Sequence, residues 1–199
     1  MLHTRRFFAA AAFALSLATA PAASAQTANP ADAVAGTYTL DINHTAVVAR
    51  VPHQTFSFEI FRFTPTSGEL TWDPANASAN RLNVTLNTAT IQTPVEGFAA
   101  ELQERQFLNS QQFPTATFVS SAFRQIDATH AEVTGTLTLK GVAKEITFNV
   151  ELIGAGRNPR GRSVVGVHAR AWINNEDYDF PNYIRGRTEI VVDAEFIKQ

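Results

Sequence analysis

Apolar and polar residues alternate along most of this chain with a period of two, as in strands that have one oily and one wet face. Tyr38, Leu40 and Ile42 form one apolar row, Val47, Ala49 and Val51 the next, and Leu82, Val84 and Leu86 a third. Ala131, Val133, Gly135, Leu137 and Leu139 lead through Lys140-Gly141 into Ile146, Phe148, Val150 and Leu152. Val165, Val167, Ala169, Ala171 and Ile173 follow, and Ile190, Val192, Ala194 and Phe196 end the pattern. Turn-forming stretches separate the rows: "PTSG" at 65–68, "DPANASAN" at 73–80, "KG" at 140–141 and "GAGRNPRG" at 154–161.

Two stretches break the alternation. In "FSFEIFRF" the apolar phase changes between Ile60 and Phe61, which predicts a bulge or a sharp bend. In "TATFVSSAF" Phe118 lies on one face and Val119 and Phe123 on the other, which predicts a strand that bends or is covered on both sides. A single substantial helix is expected. Thr93-Pro94-Val95-Glu96 fits a capping box with proline at the first helical position, and helical spacing runs on to about Asn109. Nine or ten short strands with one helix predict an all-β fold, either a sandwich or a closed antiparallel barrel. A barrel of about eight strands has room to fill with side chains or to hold one small ligand.

The N-terminus reads differently. His3, Arg5 and Arg6 precede the apolar run "FFAAAAFALSLATA", and Ala23-Ser24-Ala25 is a small-x-small cleavage pattern. Residues 1–25 are therefore expected to be a secretory signal peptide, 26–35 a flexible polar lead-in and 36–199 one barrel domain. The apolar run is too short to span a bilayer, and the remainder has no longer one. The chain contains no cysteine, which excludes a disulfide scaffold, a thiolate metal site and a cysteine nucleophile. Without Arg5 and Arg6 the net charge is about −4, with charges scattered. Nothing resembles the basic stripe of a nucleic-acid binder.

Catalytic and metal signals are weak. After the signal, the histidines are His44, His53, His130 and His168, with no HxxxH pair. Asp41 and His44 read as a hydrogen-bonded network at a strand end, and His130 and His168 as solvent-facing strand residues. There is no nucleophile elbow and no phosphate-binding glycine loop. No catalytic residue, metal or cofactor is assigned.

The order of the motifs carries more information. "YTLDINHTAVVARVPH" at 38–53, "TPTSGELTWDP" at 64–74 and "AELQERQFLNSQQFPTATFVSS" at 100–121 precede "VTGTLTLKGVAKEITFNVEL" at 133–152 and "YIRGRTEIVVDAEF" at 183–196. In this order they resemble the YceI-like family of exported, lipocalin-like proteins. The resemblance implies an extended antiparallel barrel whose apolar cavity binds an isoprenoid, such as a polyprenyl or quinone-like lipid, or a fatty-acyl lipid. It also implies a periplasmic location and no catalytic centre. A homodimer is a candidate assembly.

With the alternating rows facing inward, the ligand-lining set is Phe58, Leu86, Phe107, Phe118, Leu137, Leu139, Ile146, Phe148 and Ile173, with Asp41, His44 and His53 as a polar rim. Gly135 leaves a gap on the inner row. The chain departs from the family pattern at Phe61, where a small residue is expected, and at Asn174–Asp179, where an Arg-x-Asp-Phe-Gly-like stretch is expected. Two rival readings make different demands. An enzyme acting on a lipid or quinone requires Asp41, His44 or His53 inside the cavity. A stress-related interaction module with a filled barrel is favoured by Phe61 and Phe123 exposed on one face.

Overall fold

The computed structural model describes residues 28–54 and 56–199. The signal peptide expected at 1–25 lies outside them. Ten strands form one antiparallel sheet: β1 (Gly36–Leu40), β2 (Ala46–His53), β3 (Ser57–Phe63), β4 (Pro65–Trp72), β5 (Arg81–Asn87), β6 (Thr115–Gln125), β7 (His130–Leu139), β8 (Val142–Arg157), β9 (Ser163–Asn174) and β10 (Arg187–Lys198). The order β1-β4-β5-β6-β7-β8-β9-β10 closes through the β1–β10 pairing into an eight-stranded barrel. The all-β barrel is thus the architecture, and closure removes the sheet edges that an open sandwich would leave.

The first wall is a bent hairpin. A 3-10 turn at Ile42–His44 separates β1 from β2, and Thr64 separates β3 from β4. The β2–β3 half continues beyond the barrel seam, held by β10 on one edge. Gln92 bridges Arg62 on the other edge, so the segment after β5 covers it. The helix in that segment, α1 (Phe98–Leu102), is much shorter than predicted. Gly97 precedes it at φ +77°, a left-handed conformation that breaks the helical run expected from Pro94. Thr93 Oγ1 instead accepts from the Val95 amide in a local turn.

β7 and β8 meet at the two-residue turn Lys140-Gly141, where both residues have positive φ, as a tight hairpin turn requires. β6 carries a register shift between Ser120 and Ala122. This bulge explains the broken alternation there, because it lets Phe118 and Phe123 face the same interior. The break in β3 has another origin. β2 and β3 pair in register from Val47–Phe63 to His53–Ser57, with no bulge. The strand is apolar on both faces: Phe61 is buried, whereas Phe58 and Ile60 are exposed.

Residues 30–35, predicted to be a flexible lead-in, are packed against the barrel. Pro30–Asp32 form a 3-10 turn and Ala33 is fully buried. Trp72 Nε1 donates to the Ala33 carbonyl, and the Tyr38 hydroxyl donates to that of Val34. Tyr38, Val165 and Phe196 belong to the core at this end of the barrel. Phe118, Val133, Leu137, Ile146 and Phe148 pack farther along, with Phe118 and Phe148 edge to face at 5.1 Å. Phe61, Ile91, Leu102, Phe107 and Leu108 close the α1 end. Full burial of such a side chain contributes about 1.5–3 kcal/mol.

Candidate functional site

An apolar cavity of about 940 Å³ runs through the barrel. At one end it reaches the β2–β3 turn, α1 and residues 180–184; at the other it reaches the 73–80 loop and the β6–β7 turn. The wall comes from inward rows visible in the sequence: Val47, Ala49 and Val51 of β2, Leu82, Val84 and Leu86 of β5, and Ile190, Val192 and Ala194 of β10.

Of the ligand-lining set expected from sequence, Leu86, Phe107, Phe118, Leu137, Leu139, Phe148 and Ile173 line this cavity. Ile146 is buried in the adjoining core but is not part of the lining. Phe58 does not face inward. It is 44 % exposed on the outer surface, with the Arg50 guanidinium 4.7 Å over its ring. Arg50 in turn pairs with Glu189, which is buried on the outer side of β10 and also lies 3.7 Å from Arg170. An inward role for Phe58 is excluded by register: Phe61 and Phe63 already occupy the inner phase of β3.

The gap expected at Gly135 is filled. A Cβ there would stand 2.4 Å from the Val119 carbonyl oxygen and 2.7 Å from Phe118 Cζ. The glycine accommodates the bulged β6 backbone and the Phe118 ring, not a ligand. Phe61 is buried beside Phe98, with ring centroids 6.1 Å apart, and Phe123 lines the cavity, so these two do not form an exposed face.

The polar rim divides. His53 lines the cavity near the β2–β3 turn. Asp41 and His44 do not line it; they hold the bend between β1 and β2. Asp41 Oδ1 accepts from the Asn43 amide, its Oδ2 meets His44 Nδ1 at 2.9 Å, and its carbonyl accepts from Thr45 Oγ1. The His44 hydrogen bond holds the Asp41 carboxyl below its ordinary pKa, and the same bond, with the neighbouring carboxylate charges, raises that of His44. Glu195 brings a carboxylate beside this pair, within 4.8 Å of both ligand atoms. These are the residues that could share a cation, and they are outside the cavity. His130 and His168 also meet carboxylates, those of Asp127 and Asp193.

Inside, the polar lining is sparse and mostly satisfied. Thr88 Oγ1 donates to the Phe113 carbonyl, and Asn80 Oδ1 accepts from the Asp73 amide. Thr188 Oγ1 donates to Asn175 Oδ1 at 2.7 Å. Asn175 Nδ2 is buried without a hydrogen-bond partner. Sequence reasoning missed Asn175, Thr188 and Phe180 as lining residues. The signal available was that Asn175 continues the row Ala169, Ala171, Ile173 by one more step.

A closed eight-stranded antiparallel barrel around an apolar interior is a lipocalin-like fold. The YceI-like domain model matches residues 38–196, and the chain belongs to that family. Protein YceI of Salmonella newport (strain SL254) is 31% identical over 172 residues, covering 84% of this chain and 90% of that protein. Among solved structures, Burkholderia cenocepacia BcnA superposes with a TM-score of 0.69 at 20% identity, covering 78% of this chain and 98% of that one. The Campylobacter jejuni YCEI protein gives 0.66 at 23% identity, covering 75% and 91%. A polyisoprenoid binding domain from Saccharophagus degradans gives 0.59 at 15% identity, covering 81% and 98%.

Proposed function

We propose that this chain is an exported binding protein that carries or stores an isoprenoid, or a similar amphipathic lipid, inside its barrel without making or breaking a bond. The observation that carries the reading is the continuous apolar cavity of about 940 Å³. Each methylene transferred into such a space contributes about 0.8 kcal/mol, so a chain of several isoprene units binds through non-directional contacts. The polyisoprenoid-binding neighbour shares this fold. Of the three side chains the enzyme reading depends on, Asp41 and His44 lie outside the cavity and His53 lines its end.

Periplasmic location rests on the signal-like N-terminus. No helix among the described residues is long and apolar enough to cross a membrane. The test is to purify the protein from its native host, extract it with organic solvent and analyse the extract by mass spectrometry. A stoichiometric polyprenyl lipid is expected. Ala49→Phe, which pushes a ring into the cavity, is expected to lower its occupancy. Repeated recovery of lipid-free protein would overturn the proposal.

A further inference from the structure

The charge of the wall says what kind of polar end the cavity accepts. Among the described residues, no lysine or arginine lines it. Carboxylates do: Glu59 and Glu101 at the α1 end, Asp73 and Asp127 at the opposite end. The buried Lys140 is not part of the lining; its ammonium donates to the Asp179 carbonyl and lies over the Phe180 ring. A phosphate or carboxylate drawn into this space would lose its water, meet no cation, and pass carboxylates at either end. His53 and His130 also line the ends.

One group in the wall calls for a ligand atom. Asn175 is only 2% exposed, lines the cavity, and has an Nδ2 with no partner. Its Oδ1 accepts from Thr188 Oγ1, which leaves Nδ2 as the end without a partner. A buried donor left unmatched is costly, and an acceptor oxygen on a bound lipid would match it.

Building on the lipid-carrier reading, we infer that the cavity selects lipids with an uncharged polar end bearing a carbonyl or hydroxyl oxygen, received by the Asn175 amide, over phosphorylated or carboxylate lipids. The polar end is buried with the chain.

The test is a competition at pH 8, read by native mass spectrometry. Delipidated protein is offered equal amounts of a polyprenyl quinone, the polyprene hydrocarbon of the same length and the corresponding polyprenyl monophosphate. The quinone should exceed the hydrocarbon about fivefold, the worth of one hydrogen bond to a buried amide. It should exceed the phosphate by more than about tenfold. In Asn175→Leu the quinone-to-hydrocarbon ratio should fall towards one. Phosphate retained as well as quinone overturns the inference. So does a quinone preference that is absent in the wild type or intact in the variant; in each case the lipid-carrier reading stands. If the wild type takes up none of the three, that reading fails too. The wild-type ratios decide the matter even if the variant does not fold.

Discussion

The β7–β8 and β2–β3 hairpins are built from the same period-two pattern, yet only the first declares which side is inside. In β7–β8 the inner row of Val133, Leu137, Ile146 and Phe148 is buried, and the outer row is threonine, glutamate and asparagine with one alanine, Ala143. In β2–β3 both rows of β3 are apolar. Phe61 and Phe63 face in; Phe58 and Ile60 face out, partly covered by Arg50. The buried Glu189 anchors Arg50 there. Alternation therefore separates two faces, but it assigns the interior only where the other face is polar.

The largest break in this comparison should come from Gly135. A valine there must displace the β6 backbone and the Phe118 ring, because the Cβ position is only 2.8 Å from Ser120 Cα. Gly135→Val is expected to lower stability by about 3 kcal/mol in urea unfolding. A change below about 0.5 kcal/mol would mean that β6 does not close on β7 as described.

On the outer face of β2, Arg50→Ala leaves Glu189 buried with only Arg170 near it. A loss of about 2 kcal/mol is expected, below that for a fully buried pair because Arg50 is partly exposed. Phe58→Ala removes only the exposed ring beneath Arg50, and about 1 kcal/mol is expected. Lipid occupancy should match the wild type, measured by extraction; a marked fall would return Phe58 to the inner face.

The smallest effect belongs to the bend between β1 and β2. His44 has a folded pKa above its ordinary value of 6.5, so its contribution is complete below that value and vanishes as pH rises through the raised pKa. Asp41 is lowered from 3.8, so its contribution is present above that value and disappears as pH falls through the depressed pKa. His44→Gln should therefore reduce the melting temperature slightly at pH 5 and not at pH 9. An equal reduction at both values would assign His44 a packing role instead.

Much of the fold was legible because strand periodicity is local. The rows in β5, β7, β8, β9 and β10 are continuous in sequence, and the two-face pattern around Phe118 and Phe123 marked the β6 bulge. The helix was over-read because Thr93-Pro94-Val95-Glu96 is a local start signal that Gly97 cancels. The Asp41–His44 network was legible as a strand-end device. Its place relative to the cavity was not, since it depends on which way the bent wall joins β10. Asn175 continues the inward row of β9 but is polar and follows the strand's end, so periodicity alone did not mark it as lining; its neighbour Thr188 comes from the next strand.

By itself the sequence determined the strand periodicity, most of the inward rows, the absence of cysteine chemistry and the family. Those properties depend on the order of side chains along the chain. Only the tertiary structure decided that Phe58 points outward, that Phe118 occupies the space at Gly135, and that the cavity wall lacks a cation while holding the Asn175 amide. The reason is closure: a strand pattern defines two sides, and the pairing of β10 with both β9 and the bent first wall makes one of them the inside.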